Sequence, residues 1–411
     1  MENPYENPAG KSPRTPWGQV LLFVGAGVAV SFQVGKAPPV LPAIRAELDM
    51  SLFLAGWILS TFNVIGLVLG SFSGAVADAF GHRRLLIRGL LLQAAGSLLG
   101  SFSPGVTLLF ITRVLEGLGF IMIAVSAPAL IARATRPRDL RMALSLWSCW
   151  LPTGAAVMML LTPLITPLWG WRGLWQINAG LLALYALCLA RRTSNPIPEP
   201  GQGRPKLARV WRDMRAISTS AGPLLLAVIF STYTLQWLAV MGFFPTLLIE
   251  NFGLGSGTAS ILTALMVAIN IPGNLAGGWL LHRGLRRWKL IALASLVMGL
   301  SSLGIYSTEI PLVLRFAACL VFSCVGGILP ASVLSGAPAH APAPQMVATT
   351  NGLIMQGSQL GQMIGPPALA LIVSGPGGWQ AAPWLLILAA AIGIGLSLAL
   401  AVLEKRRGID P

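Results

Sequence analysis

The chain has 411 residues, 55% of them hydrophobic and only 10% charged, where an ordinary soluble domain carries about 25% charged residues. A helix that crosses a bilayer needs about 20 mostly apolar residues, and the apolar runs leave room for a dozen such helices and for no separate soluble domain. The net charge of +15 sits in short clusters between apolar runs, without a basic groove interleaved with stacking aromatics, which excludes a nucleic-acid partner.

In chain order, residues 1–16 are polar and proline-bearing and read as a disordered cytoplasmic tail. They lack the charged start and cleavage site of a signal peptide. Apolar runs then predict helices near 17–42, 52–77, 85–103, 107–132, 142–168 and 174–190. A proline-rich basic stretch over 191–220 follows, whose second part, from Lys206 to Ile217, has the pattern of an amphipathic surface helix. Six more helices are expected near 221–248, 257–281, 290–307, 311–336, 347–374 and 383–403, with a short cytoplasmic tail over 404–411. The expected domains are therefore two six-helix bundles, 17–190 and 221–403, joined by the 191–220 linker.

Basic residues orient such a chain. With both termini cytoplasmic, 23 of the 28 Lys and Arg residues lie in inside segments and only Arg45 and Arg172 lie outside. The remaining three, Lys36, Arg113 and Arg315, fall within helices. The halves also repeat: Pro42 and Pro245 are 203 apart, Gly74 and Gly278 are 204 apart, Arg113 and Arg315 are 202 apart, and Pro163 and Pro366 are 203 apart.

Between helices 2 and 3 the chain reads Gly74-Ala75-Val76-Ala77-Asp78-Ala79-Phe80-Gly81-His82-Arg83-Arg84, and helix 4 carries Arg113-Val114-Leu115-Glu116-Gly117-Leu118-Gly119. The first resembles the cytoplasmic signature loop of the major facilitator superfamily, G-x-x-x-D-x-x-G followed by basic residues; the second is similar to its helix 4 pattern, R-x-x-x-G-x-G. The resemblance covers the whole chain and implies an all-α membrane fold of twelve helices in two pseudo-symmetric six-helix bundles, in the cytoplasmic membrane. It also implies a gating role for Gly74, Asp78, Gly81, Arg83 and Arg84. Ala79 and His82 depart from the family's basic residues, and the matching loop of the second half, from His282 to Arg287, has no acidic residue.

A charge at mid-bilayer costs about 2.5–3.5 kcal/mol on insertion scales, so its presence suggests use. Arg113 and Glu116 share a helical face and can pair, either as a packing ion pair or as the proton-coupling site that the resemblance links to Arg113. Glu116 is the expected proton carrier. Lys36 either faces a central cavity, where it would attract an anion, or snorkels outward; Arg315, near the outer start of helix 10, is expected to snorkel. Polar and aromatic residues that could line a substrate cavity, or serve as interhelical glue, are Gln33, Asn63, Trp150, Tyr233, Gln236, Trp237, Asn270, Asn274, Asn351, Gln356 and Gln359. Asn270 and Asn274 share a face around Pro272, and interrupted helices point to binding sites. Trp17, Trp171, Trp175, Trp379 and Trp384 read as interfacial anchors.

The histidines lie by loops without carboxylate clusters, and no nucleotide loop, metal-ligand spacing or cofactor motif occurs, so an enzyme and an ATP-driven pump are poor readings. The cysteines read as small packing residues. What remains is a secondary transporter, expected to be monomeric, for a small organic anion with the proton as coupling ion, against a receptor or scaffold. Helix 5 lacks the G-x-x-x-G-P run of drug/proton exporters, while Gly361 to Pro366 in helix 11 has a similar one. This leans towards uptake and a resemblance to the cyanate/nitroimidazole-type branch, with efflux as the alternative.

Overall fold

The computed structural model describes residues 15–70, 81–193, 207–343 and 346–408, without the side chains of Arg141 and of residues 207–210. Among the described residues there is no strand. Backbone groups in hydrocarbon must be satisfied internally, and helices do so within one segment. We number the crossings α1 (Trp17–Glu47), α2 (Leu52–Gly70), α3 (His82–Ser101), α4 (Val106–Ala134), α5 (150–169) and α6 (171–192) in the first half. The second half has α7 (Ala221–Glu250), α8 (Ser256–His282), α9 (Arg287–Tyr306), α10 (Leu312–Leu334), α11 (Val347–Val373) and α12 (Ala382–Arg407). A short helix, Leu140–Ser148, leads into α5, and another, Leu207–Ser218, precedes α7.

Several boundaries have local causes. Helix α1 breaks at Lys36, where Pro38 and Pro39 start a second helical piece that continues to Glu47, five residues beyond the expected end. Ser51 caps α2 by accepting from the Leu54 amide at 3.2 Å. Helices α5 and α6 are joined without a loop: Gly170, at φ 60° and ψ −170°, reverses the chain in one residue, a conformation essentially restricted to glycine. Both Trp17 and Arg407 therefore lie on one face of the bilayer, the terminal face; the opposite one is the far face.

The packing repeats as the sequence does. In the first half α1 packs on α5 and α3 on both α4 and α6; in the second, α7 packs on α11 and α9 on both α10 and α12. The α1–α5 approach is lined by Gly35 and Gly154, and the α7–α11 approach by Gly357, Gly361 and Gly365, all within a Cβ diameter of the partner backbone, as close helix packing in lipid favours. Between the halves, α5 meets α8 and α2 meets α11, two contacts that exchange under a six-helix shift. Outward faces carry large exposed apolar side chains such as Leu168, Val313 and Leu371, a surface suited to lipid.

Candidate functional site

Three ionisable side chains meet inside the first bundle. Arg113 and Glu116 lie one turn apart on α4, and Lys36 reaches them from the break in α1. Lys36 Nζ is 2.7 Å from Glu116 Oε1, and Arg113 Nη1 is 2.6 Å from Glu116 Oε2, all three side chains being at most 2% exposed. Each carboxylate oxygen is thus held by a different basic side chain, and the three groups have a formal charge of +1. Lys36 does not snorkel: the helix break turns it inward, where its ammonium also donates to Ser97 Oγ at 2.8 Å and lies 4.2 Å from the Trp175 ring centroid.

The surrounding groups complete the cluster's hydrogen bonds. Arg113 donates to the carbonyls of Gln33 (3.1 Å) and Ile58 (3.2 Å) and stacks 4.9 Å from Phe62. Gln93 donates to the Glu116 carbonyl at 3.0 Å, Gln33 donates to the Gln93 carbonyl at 3.4 Å, and Ser97 donates to the Trp175 carbonyl at 2.8 Å. Gly96 lets α3 approach, since a Cβ there would lie 2.9 Å from Glu116 Cγ. Sequence reasoning missed Gln93 and Ser97, although their spacing of four with Ser101 marks a polar stripe on α3. It also misread Trp171 and Trp175 as interfacial: they are 4% and 0% exposed. Trp171 donates to Glu47 Oε2 at 2.6 Å, beside Arg172, which bonds Glu47 and the Ser101 and Ser103 carbonyls.

Arg113 also reaches the seam. A void of about 10 Å³ is lined by Arg113, Asn63, Val34 and Phe62 from the first half and by Leu238, Met241 and Gln362 from the second. Deeper in the second half the polar residues form an uncharged set, while Arg287 and Glu404 pair beside the open cavity, with His340 on the same carboxylate oxygen. Asn270 donates to the Ser323 carbonyl at 2.8 Å and to Tyr233 Oη at 3.2 Å, Asn274 donates to Asn270 Oδ1 at 3.3 Å, and Trp237 donates to Ser323 Oγ at 3.4 Å.

The remaining expected site residues lie elsewhere. Gln236 is buried and donates to the Thr232 carbonyl on its own helix. Gln356 bonds the Leu67 carbonyl at 2.9 Å across the α2–α11 contact, and Trp150 stacks on Trp147. Arg315 caps the start of α10, donating to the Ile310 carbonyl at 2.7 Å with Phe252 beneath it. Of the expected gating loop, Gly74 and Asp78 lie outside the described residues. Gly81 has φ 83° at the start of α3; Arg83 holds the end of α6 through the Ala190 and Thr193 carbonyls at 2.8 and 2.6 Å, and Arg84 is exposed.

The two halves meet firmly on the far face. There Arg45 and Glu250 pair at 2.6 Å, and Ser260 of α8 donates to the Met159 carbonyl of α5 at 2.6 Å. Towards the terminal face α5 and α8 diverge. A cavity of about 1040 Å³ opens between Leu144, Ser145 and Ser148 on one side and α8, α9, α10 and α12 on the other, and Asn274 is among its lining residues. A buried charge cluster that reaches the seam through Arg113, with one face closed and the other open, suits a binding and release cycle. Among the described residues no group of His, Cys, Asp and Glu could hold a metal ion.

Comparison with known proteins agrees with this architecture. The family model described as Major Facilitator Superfamily matches residues 21–366. The chain is 28% identical over 371 residues to the 3-(3-hydroxy-phenyl)propionate transporter of Escherichia coli, covering 87% of this chain and 88% of that protein. Over 188 residues it is 34% identical to the puromycin resistance protein pur8 of Streptomyces alboniger, a match over 44% of this chain that spans only 37% of the relative's length. The crystal structure of a bacterial homologue of the human lysosomal transporter Spinster, inward-facing and unoccupied, superposes with a TM-score of 0.80 at 14% identity, covering 97% of this chain and 98% of that one. With twelve helices in two related bundles and a family match over most of its length, this chain belongs to the major facilitator superfamily and is a multi-pass membrane transporter, not an enzyme.

Proposed function

We propose that the protein imports a small organic anion, an aromatic carboxylate, together with a proton, by alternating access in the cytoplasmic membrane with the terminal face cytoplasmic. The observation that carries this reading is the Lys36–Glu116–Arg113 cluster, a buried carboxylate shared between two cations, one of which reaches the seam between the bundles. The excess of basic residues on segments of the terminal face supports the orientation. The relative matched over nearly its full length is named for a phenylpropionate, and this supports the substrate class.

Charge accounting connects the parts. The empty cluster carries one net positive charge. A proton on Glu116 releases Arg113 and raises that to two, and a substrate carboxylate on Arg113 returns it to one. Loaded and empty forms then cross the membrane with equal charge. An inside-negative potential opposes anion entry by about 2.3 kcal/mol per charge per 100 mV, and a co-transported proton removes that opposition. Efflux is the second reading, favoured by the partial match to a puromycin resistance protein.

The test is uptake of labelled 3-(3-hydroxyphenyl)propionate by purified protein in liposomes. An acidic exterior should drive accumulation, a protonophore should abolish it, and a potassium diffusion potential should leave it unchanged. Uptake indifferent to the pH gradient would remove proton coupling. Substrate accumulation driven only by an acidic interior, on the side the terminal face contacts, would establish efflux.

A further inference from the structure

The uncharged set in the second bundle has unused hydrogen-bonding capacity of a particular kind. Tyr233 is 4% exposed, and its oxygen accepts from Asn270, while among the described residues nothing accepts its hydroxyl proton. Asn274 spends its amide N–H on Asn270 Oδ1 and lines the cavity, and its carbonyl oxygen has no protein donor among the described residues. Both bond to the same Asn270 side chain, so a spare donor and a spare acceptor sit on either side of one amide.

The backbone around them is interrupted on both sides. Helix α8 kinks at Ile269, three residues before Pro272, and α10 kinks at Gly327, three residues before Pro330, both residues keeping helical dihedrals. Each proline withholds an amide from the carbonyl four residues earlier. The two kinks lie against each other: a Cβ on Gly273 would be 1.8 Å from the Cys324 carbonyl oxygen, and one on Gly327 would be 2.5 Å from that of Asn270. Opposed proline-interrupted helices of this kind point to a binding site in a transporter. The set also stands between the open cavity and the charge cluster. Tyr233, Trp237 and Met241 follow at a spacing of four on α7, about 12 Å of helix, and Met241 shares the seam void with Arg113.

We infer that Tyr233, Asn270 and Asn274 form a second, uncharged subsite that binds a hydroxyl group on the substrate, at the end opposite the carboxylate. A hydroxyl both donates and accepts, matching the spare Asn274 oxygen and the spare Tyr233 proton. A pyridine-type ring nitrogen only accepts, and a bare ring would leave the buried Tyr233 hydroxyl without an acceptor, the situation in which a hydrogen-bonding site discriminates strongly. This subsite deepens the reading of the protein as a carboxylate transporter and rests on it.

The experiment compares 3-(3-hydroxyphenyl)propionate with 3-phenylpropionate in the liposome assay, as the ratio of kcat/KM values. The wild-type protein should favour the hydroxylated acid by about tenfold or more. Tyr233→Phe, and independently Asn274→Ala at its half-exposed position, should bring the ratio close to one, chiefly by raising KM for the hydroxylated acid. A wild-type ratio near one, or a ratio unchanged in both variants, overturns the subsite and leaves the carboxylate reading standing. Transport of neither acid removes both.

Discussion

The two bundles share one packing scheme and differ in what they enclose. At the arginine repeated 202 residues apart, the first half buries Arg113 against Glu116 and adds Lys36. The second half leaves Arg315 at a helix start, bonded to a carbonyl. Where the first half has ions deep in the bundle, the second has Tyr233, Trp237, Asn270 and Ser323, all neutral, and keeps its Arg287–Glu404 pair beside the open cavity. The repeat therefore fixes the scaffold and leaves the chemistry free to diverge. One half can be specialised for charge and proton exchange, the other for hydrogen bonding and shape, on a shared packing scheme.

The sharpest way to break this division is Glu116→Gln. The amide cannot take a proton, and it leaves Lys36 and Arg113 as buried cations without an anion. Removing one partner of a buried ion pair costs about 3–5 kcal/mol, and losing a proton-transfer group costs about two orders of magnitude or more in rate. The expected result is a lower melting temperature together with loss of pH-driven uptake. Wild-type accumulation by this variant would place the coupling elsewhere.

The neutral half is probed next by Gly273→Ala. Its Cβ would press on the Cys324 carbonyl oxygen, which is backbone and cannot rotate away, so α8 and α10 must separate. Overpacking of this kind costs about 1–3 kcal/mol. Because Asn270 bonds Ser323 across the same contact, the melting temperature should fall and selectivity for the hydroxylated acid should fall with it. A variant that loses stability but keeps full selectivity would show that the uncharged set does not depend on this approach of the two helices.

Much of this was legible before any coordinates. Helix number, the half-repeat and the inward Arg113–Glu116 pair follow from period, spacing and the cost of charge in lipid, which act locally along the chain. Lys36 was harder. Depth alone allowed it to snorkel, and only the break before Pro38 and Pro39, with Ser97, Glu116 and Trp175 converging from three other helices, turns it inward. Trp175 failed for the converse reason: closeness to a helix end suggests an interface, but the one-residue reversal at Gly170 pulls the start of α6 into the bundle. Gln93 and Ser97 become functional only through which helix faces them, and spacing within α3 does not encode that.

The smallest expected effect tests the comparison most directly. Arg315→Met removes a guanidinium that holds only the Ile310 carbonyl and the face of Phe252, at a half-buried helix start. Methionine retains much of the apolar stem that packs there, and the freed carbonyl lies in the chain just ahead of α10. A surface substitution of this type costs within about 0.5 kcal/mol. Melting temperature should barely move, and uptake should stay within about twofold, the spread such small energies imply. Arg113→Met, its counterpart by repeat, leaves Lys36 and Glu116 as a neutral pair and strips the seam of its cation, so uptake of the anion should collapse while the bundle stays folded. If both variants lose transport equally, the arginines act as a symmetric pair, and the division between a charged half and a neutral half is wrong.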